Sequence, residues 1–226
     1  WLDLSSNKTT AVATGRGQYK SATIHKGTGR IAFLTDRDRY EKDPSEFALH
    51  IWNPGDSKSK EVVADGNPGI TKDFVVLGRG TLRFSFSGNR VFFATGPKPL
   101  PEPKPADPDE EKAVVDVWSH TDKVLMPQQL LQIAAEKNRT FEAMFDISKD
   151  KVIQVETVAM NSVTIGNRGD GRYGIANNDD PYKAASSWTD TPTDVFVFDA
   201  LSGTYSMIRK AFYYSGSLNP AGTHYV

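Results

Sequence analysis

The chain has 226 residues, 38% of them hydrophobic and 24% charged, and its 27 Lys plus Arg against 28 Asp plus Glu leave a net charge of −1. A chain of this length can bury a sizeable core, its composition reads as ordinary soluble globular, and no apolar run reaches the roughly 18 residues of a membrane span. Near-neutral charge without a basic block argues against nucleic acid or an anionic membrane as partner, and the lack of cysteine excludes disulfides, thiolate nucleophiles and Cys-ligated metals.

Residues 1–20 are polar, with a weak apolar alternation at Ala11, Val12 and Ala13, and read as an edge strand or lead-in. Aromatic and β-branched residues suit a half-buried pleated surface. On that basis residues 21–25 and 30–35 form a hairpin, 36–46 a charged loop, 47–52 a third strand and 60–64 a fourth, after the turn Asn53-Pro54-Gly55. Four strands joined as a meander make one propeller blade.

A second unit is expected at 81–86 and 90–95, hinged on Ser87-Gly88-Asn89, a cluster suited to the positive backbone angles of a tight turn. Its third strand is expected at 113–119 and its fourth at 140–147. Residues 97–112 interrupt this unit with six prolines, alternating as Pro-x-Pro ahead of Asp107, Asp109, Glu110 and Glu111. Alternating Pro cannot donate to a β-ladder, so the stretch reads as a surface loop, either inert or a ligand for a proline-reading domain. MPQQLLQIAAEK at 126–137 could start a helix at Pro127 or form an extended arm. A third unit takes in 155–164, 172–177, 194–199 and 205–210.

The hairpins repeat a pattern: Gly just before a basic or polar residue, then an apolar run, at 23–36, 82–95, 164–179 and 215–226. The third strands align too, as LHIWNPG, VDVWSHT and VFVFDAL. Each small sheet must cover its faces with a neighbour, so the expected fold is all-β, a partial β-propeller of about four four-stranded antiparallel blades, with a β-sandwich as runner-up. Val91, Phe92, Phe93, Val117, Trp118, Val195, Phe196 and Val197 are expected in strands, with alternate side chains between blades. The expected domain organisation is one propeller domain over 1–226, with an insertion at 97–112. Residues 223–226 read as the opening of a further strand, and the domain is therefore expected to be incomplete.

Catalytic signatures are scarce. Hydrolysis by an activated Ser normally shows as Gly-x-Ser-x-Gly, which does not occur; Gly216-Ser217-Leu218-Asn219-Pro220 lacks the second Gly and reads as structural. There is no phosphate-binding Gly loop, no His-Glu-x-x-His and no EF-hand loop. His25, His50, His120 and His224 lie far apart along the chain. Asp36-Arg37-Asp38 and Asn177-Asn178-Asp179-Asp180 could hold Ca²⁺, though Asx turns explain them more simply. Tyr40, Glu41, Glu46, Arg168, Arg172 and Trp188 lie in loops that could face a central channel. No catalytic, cofactor-binding or metal-binding residue is assigned, and no cofactor is expected.

VVDVWSHTDKVLMPQQ at 114–129, RVFFATGP at 90–97, Arg139-Thr140-Phe141 and Ser186-Ser187-Trp188 together resemble the amino-terminal β-propeller of the prolyl oligopeptidase superfamily of serine peptidases, particularly its bacterial dipeptidyl-peptidase-like branch. The turn Asn219-Pro220-Ala221-Gly222 is similar to the Ser-Pro-Asp-Gly turn of such blades. The resemblance implies a non-catalytic propeller that gates an active site carried by a carboxy-terminal α/β-hydrolase domain, with short peptides as substrates, and it leans towards a periplasmic or extracellular location. No Glu-Glu pair matches the one with which dipeptidyl peptidases bind the substrate's amino terminus, since Glu110-Glu111 lies in the insertion. The alternatives are a free-standing protein- or peptide-binding propeller and an enzyme acting through the propeller channel.

Overall fold

The computed structural model describes residues 1–99, 119, 122–160 and 162–226. A short ribbon of β1 (Leu2–Asp3) and β2 (Lys8–Thr9) leads into a first blade of β3 (Tyr19–Ile24), β4 (Ile31–Thr35), β5 (Ala48–Trp52) and β6 (Lys60–Val63), paired in that order and antiparallel throughout. The polar lead-in thus holds this ribbon of two-residue strands before its last residues, Tyr19 and Lys20, enter β3, and Trp1 sets its ring 5.5 Å from that of Trp52.

The second blade contains β7 (Phe74–Val76), β8 (Arg83–Phe84), β9 (Arg90–Pro97), β10 (Phe141–Asp146) and β11 (Lys151–Gln154), in the order β11-β10-β9-β7 with β8 also on β9. Here the structure corrects the sequence reading. Strand β10, expected in fourth place, pairs directly with β9, and the outer place belongs to β11, a four-residue strand behind the turn that contains Asp150 at φ 50°. Too short to show a period, β11 and the three-residue β7 carry no sequence signal. The inner edge of β9 is shared, with β8 on its first residues and β7 on its last. The expected strand at 113–119 falls, apart from Ser119, outside the described residues, as do Val117, Trp118 and most of the insertion. Residues 126–137 form helix α1 (Met126–Lys137), with Pro127 in its first turn, Asn138 Nδ2 donating to Ala134 O at 2.9 Å, and no buried residue.

The third blade, β12 (Val163–Ile165), β13 (Tyr173–Asn178), β14 (Thr193–Asp199) and β15 (Thr204–Phe212), follows the expected order. Beyond it Ser217 and Val226 exchange backbone hydrogen bonds of 2.8 and 2.9 Å, closing a small hairpin over the turn at 219–222. Gly166 and Gly222 meet there so closely that a Cβ on Gly166 would stand 2.6 Å from the Gly222 Cα.

Period-2 alternation gives the central blade two apolar faces. Val91, Phe93, Ala143, Phe145 and Val152 pack against Ala32, Leu34, Leu49, Ile51 and Val63 of the first blade. Phe92, Met144 and Ile153, their alternates, pack against Val163, Ile165, Ala176 and Phe198 of the third. Two cores, each between consecutive sheets, make a stack of blades, and the fold is a partial β-propeller of antiparallel blades, as the alternation predicts.

The repeated Gly-basic hairpins tie the blades at one end. Arg30 Nη1 donates to Gly88 O (2.9 Å), and His25 Nε2 lies 3.0 Å from Phe86 O. One blade further on, Arg90 Nη1 donates to Gly169 O (2.9 Å) and Gly171 O (2.7 Å), and Ser87 bonds Asp170 through its backbone N–H and its hydroxyl, both at 2.7 Å. In the first two hairpins, therefore, the basic residue after the Gly turn, Arg30 or Arg90, reaches the turn of the next blade, whereas Arg172 of the third pairs with Asp199 inside its own blade.

Candidate functional site

Strand pairing sets His50 of β5 opposite Glu61 of β6, immediately after a register shift between Leu49 and His50. Both point away from the second blade, because Leu49 and Ile51, the neighbours of His50, face it. The His50 ring stacks on Phe33 at 5.5 Å with 23° between planes, and the residue is 1% exposed. Asp38 enters from the loop after β4, so that its carboxylate, an imidazole nitrogen of His50 and the Glu61 carboxylate lie within 4.8 Å of one another. Among the described residues this is the one group of three or more His, Asp or Glu side chains gathered so closely.

Two arginines of the same loop hold the carboxylates. Arg39 forks onto Glu61 with bonds of 2.8 and 3.0 Å, and Arg37 reaches Asp38 Oδ2 at 2.7 Å through Nη2 and both Asp38 oxygens at 3.1 Å through Nε. The hydrogen bond from Arg39 keeps Glu61 below the usual carboxylate range, and that from Arg37 does the same for Asp38. His50 is pushed the other way from a charged state: burial lowers its pKa, and the Arg37 charge adds to the effect. The result near neutral pH is a neutral, buried imidazole beside two ionised, arginine-bound carboxylates. Nδ1 of His50 has no hydrogen-bond partner, and Nε2 has Glu61 Oε2 at 3.7 Å, beyond hydrogen-bond length.

A second polar pocket lies between the second and third blades. Arg83 Nη2 stands 2.9 Å from both oxygens of Glu142, and its guanidinium lies 3.9 Å over the Phe92 ring. Glu156 accepts the Glu142 backbone N–H at 2.7 Å. Burial raises the pKa of both glutamates. These residues line a cleft of about 250 Å³ with Thr81 and Thr140. A larger cleft, about 660 Å³, runs beside the third blade past Phe86, Arg168, Ile175, Asn177 and Leu218.

The other residues singled out in the sequence do not converge. His25 is spent on Thr28 and Phe86 in the inter-blade turns, His224 Nδ1 lies 2.8 Å from the Thr223 hydroxyl in the terminal hairpin, and His120 is outside the described residues. Asn178 Oδ1 accepts the Asp180 N–H at 3.0 Å as an Asx turn, while Asp179 and Asp180 pair with Lys183, and Asp180 also with Lys123. Glu46 binds Lys42 and Lys98, Tyr40 donates to Glu41, and Arg172 pairs with Asp199. Arg168 lies over Phe86 at 4.8 Å in the larger cleft, whereas Trp188 is exposed. Glu61, Glu142 and Glu156 escape sequence reasoning, because a bulge or a strand-order change decides what each glutamate faces.

No protein-family model and no curated protein matches the chain. Among solved structures it is similar to a prolyl endopeptidase, with TM-score 0.44 and 11% identity over 92% of this chain and 25% of that one. It is also similar to TolB from Acinetobacter baumannii (TM-score 0.37, 12% identity, 93% of this chain and 37% of that one). Pyrococcus horikoshii acylaminoacyl peptidase is a third (TM-score 0.37, 14% identity, 89% and 26%). The chain thus spans between a quarter and little more than a third of the length of these neighbours.

Proposed function

We propose that residues 1–226 are one propeller unit, with an insertion at 97–112, that caps and gates the active site of a serine peptidase acting on short peptides. The catalytic Ser, Asp and His belong in this reading to a carboxy-terminal α/β-hydrolase domain. One observation carries it: two of the peptidase-type motifs fall on neighbouring strands of the central blade, RVFFATGP being β9 and Phe141 opening β10 beside it. A stack of rigid blades contributes by excluding folded proteins and holding a short peptide in register, which supplies orientation without touching the chemistry. Acyl transfer also needs a nucleophile, a base and oxyanion donors, and no Gly-x-Ser-x-Gly elbow occurs in this chain. The test compares the purified chain with its full-length parent on short chromogenic peptides, using a serine-reactive phosphonate as active-site label. Activity and labelling confined to the parent are expected; turnover or stoichiometric labelling of this chain refutes the reading. The 660 Å³ cleft favours a second reading, a peptide-binding propeller without a peptidase partner. A parent with no hydrolase domain selects it.

A further inference from the structure

We propose that Asp38, His50 and Glu61 form a site for a divalent transition-metal ion of the zinc class, on the side of the first blade turned away from the second. Three donor atoms within 4.8 Å of one another come from two paired strands and the loop beside them, so the backbone already brings them together. Zinc takes His nitrogen and carboxylate oxygen at about 2.0–2.2 Å, which puts two ligands of a tetrahedral ion roughly 3.4 Å apart. The 3.7 Å between His50 Nε2 and Glu61 Oε2 is close to that separation and too long for a hydrogen bond. Closing the widest gap in the trio requires the side chains to move by about an ångström.

The state of His50 is the second observation. An imidazole that is 1% exposed should have its nitrogens satisfied, yet Nδ1 has no partner and Nε2 makes no hydrogen bond to its carboxylate neighbour. Metal coordination through Nε2, the nitrogen that faces Glu61, would supply the partner that this nitrogen lacks.

The arginines bear on the same question. Each oxygen of Glu61 takes one bond from Arg39, and Asp38 Oδ1 takes one from Arg37. Each of those oxygens keeps a free lone pair, and guanidinium bonds of this kind orient ligating carboxylates from the outer shell. They also cancel charge, which tells against a calcium site that depends on carboxylate charge, whereas imidazole suits the zinc class.

The experiment titrates untagged, metal-stripped protein with Zn²⁺ by calorimetry and with Co²⁺ by visible absorption, with Ca²⁺ and Mg²⁺ as controls. One Zn²⁺ per chain is expected, with Co²⁺ giving ligand-field bands and no binding of Ca²⁺ or Mg²⁺ at the same site. Because His50 lies in the core, Asp38→Asn and Glu61→Gln at partly exposed positions decide the matter. Each should weaken Zn²⁺ by more than the roughly 10–100-fold of an outer-shell loss, with circular dichroism unchanged. Absence of saturable one-to-one binding overturns the proposal, as does binding that survives Glu61→Gln or a preference for Ca²⁺. None of these outcomes depends on whether the parent is a peptidase.

Discussion

Arg90 is the sharpest point at which to test the blade stack. Its side chain is buried at 8% exposure, and Nη1 donates to Gly169 O at 2.9 Å and Gly171 O at 2.7 Å, both in the third blade. Arg90→Ala removes two hydrogen bonds from a charged donor, each contributing about 1.5–3 kcal/mol when intact. Water entering the vacated space re-solvates part of the exposed carbonyl surface, so the expected loss is about 2–4 kcal/mol. At roughly 2–4 °C per kcal/mol for a domain of this size, the melting temperature falls by about 4–16 °C. Arg90→Lys keeps the charge but reaches two carbonyls poorly with a compact ammonium, and should lose about 1–2 kcal/mol. The internal control is Arg172→Ala, at the same place in the next hairpin: its side chain is 56% exposed, and its solvent-screened ion pair with Asp199 should contribute little. Urea denaturation of all three variants, with hydrogen exchange at residues 169–171, provides the measurement. An Arg90→Ala loss no larger than that of Arg172→Ala, or unchanged exchange in the turn, would refute the inter-blade clamp.

Gly88 holds φ +75°, and a Cβ there would stand 2.5 Å from His25 Nδ1. Gly88→Ala should therefore cost about 1–3 kcal/mol in thermal melts, and a change under 0.5 kcal/mol would count against the contact. Acidification should also destabilise the chain through His50. Its folded pKa is depressed, so its contribution is fully present above the ordinary histidine value near 6.5 and is lost as pH falls through the folded pKa. The urea midpoint of the wild type should fall from pH 7.5 to pH 5 more steeply than that of His50→Gln, and parallel curves would refute this. Phe92→Ala, emptying the core between the second and third blades, should cost about 3–5 kcal/mol. Leu131→Lys on helix α1, at a position 85% exposed, should change the urea midpoint by less than the equivalent of about 0.5 kcal/mol; a larger loss would show that the helix packs on something.

The sequence determined the strands that are long enough to show a period and the turns that need a glycine. The aromatic and β-branched alternation in β9 and β14 states which residues lie in strands and that both faces are covered, and Ser87-Gly88-Asn89 states where the chain reverses. These are local properties, legible because side-chain direction in a strand has period two. The tertiary structure decided what no local rule reaches. Strand β10 took third place in its blade because its hydrogen bonds go to β9 across the whole intervening segment, and β11 became the outer strand although four residues carry no pattern. Helix α1 was open to two readings because a helix with no buried face leaves no apolar stripe to recognise. The candidate site shows the same division: His50 and Asp38 stand out in the sequence as residue types, but a register shift beside Leu49 brings Glu61 opposite His50, and a bulge is a property of strand pairing, not of either strand alone.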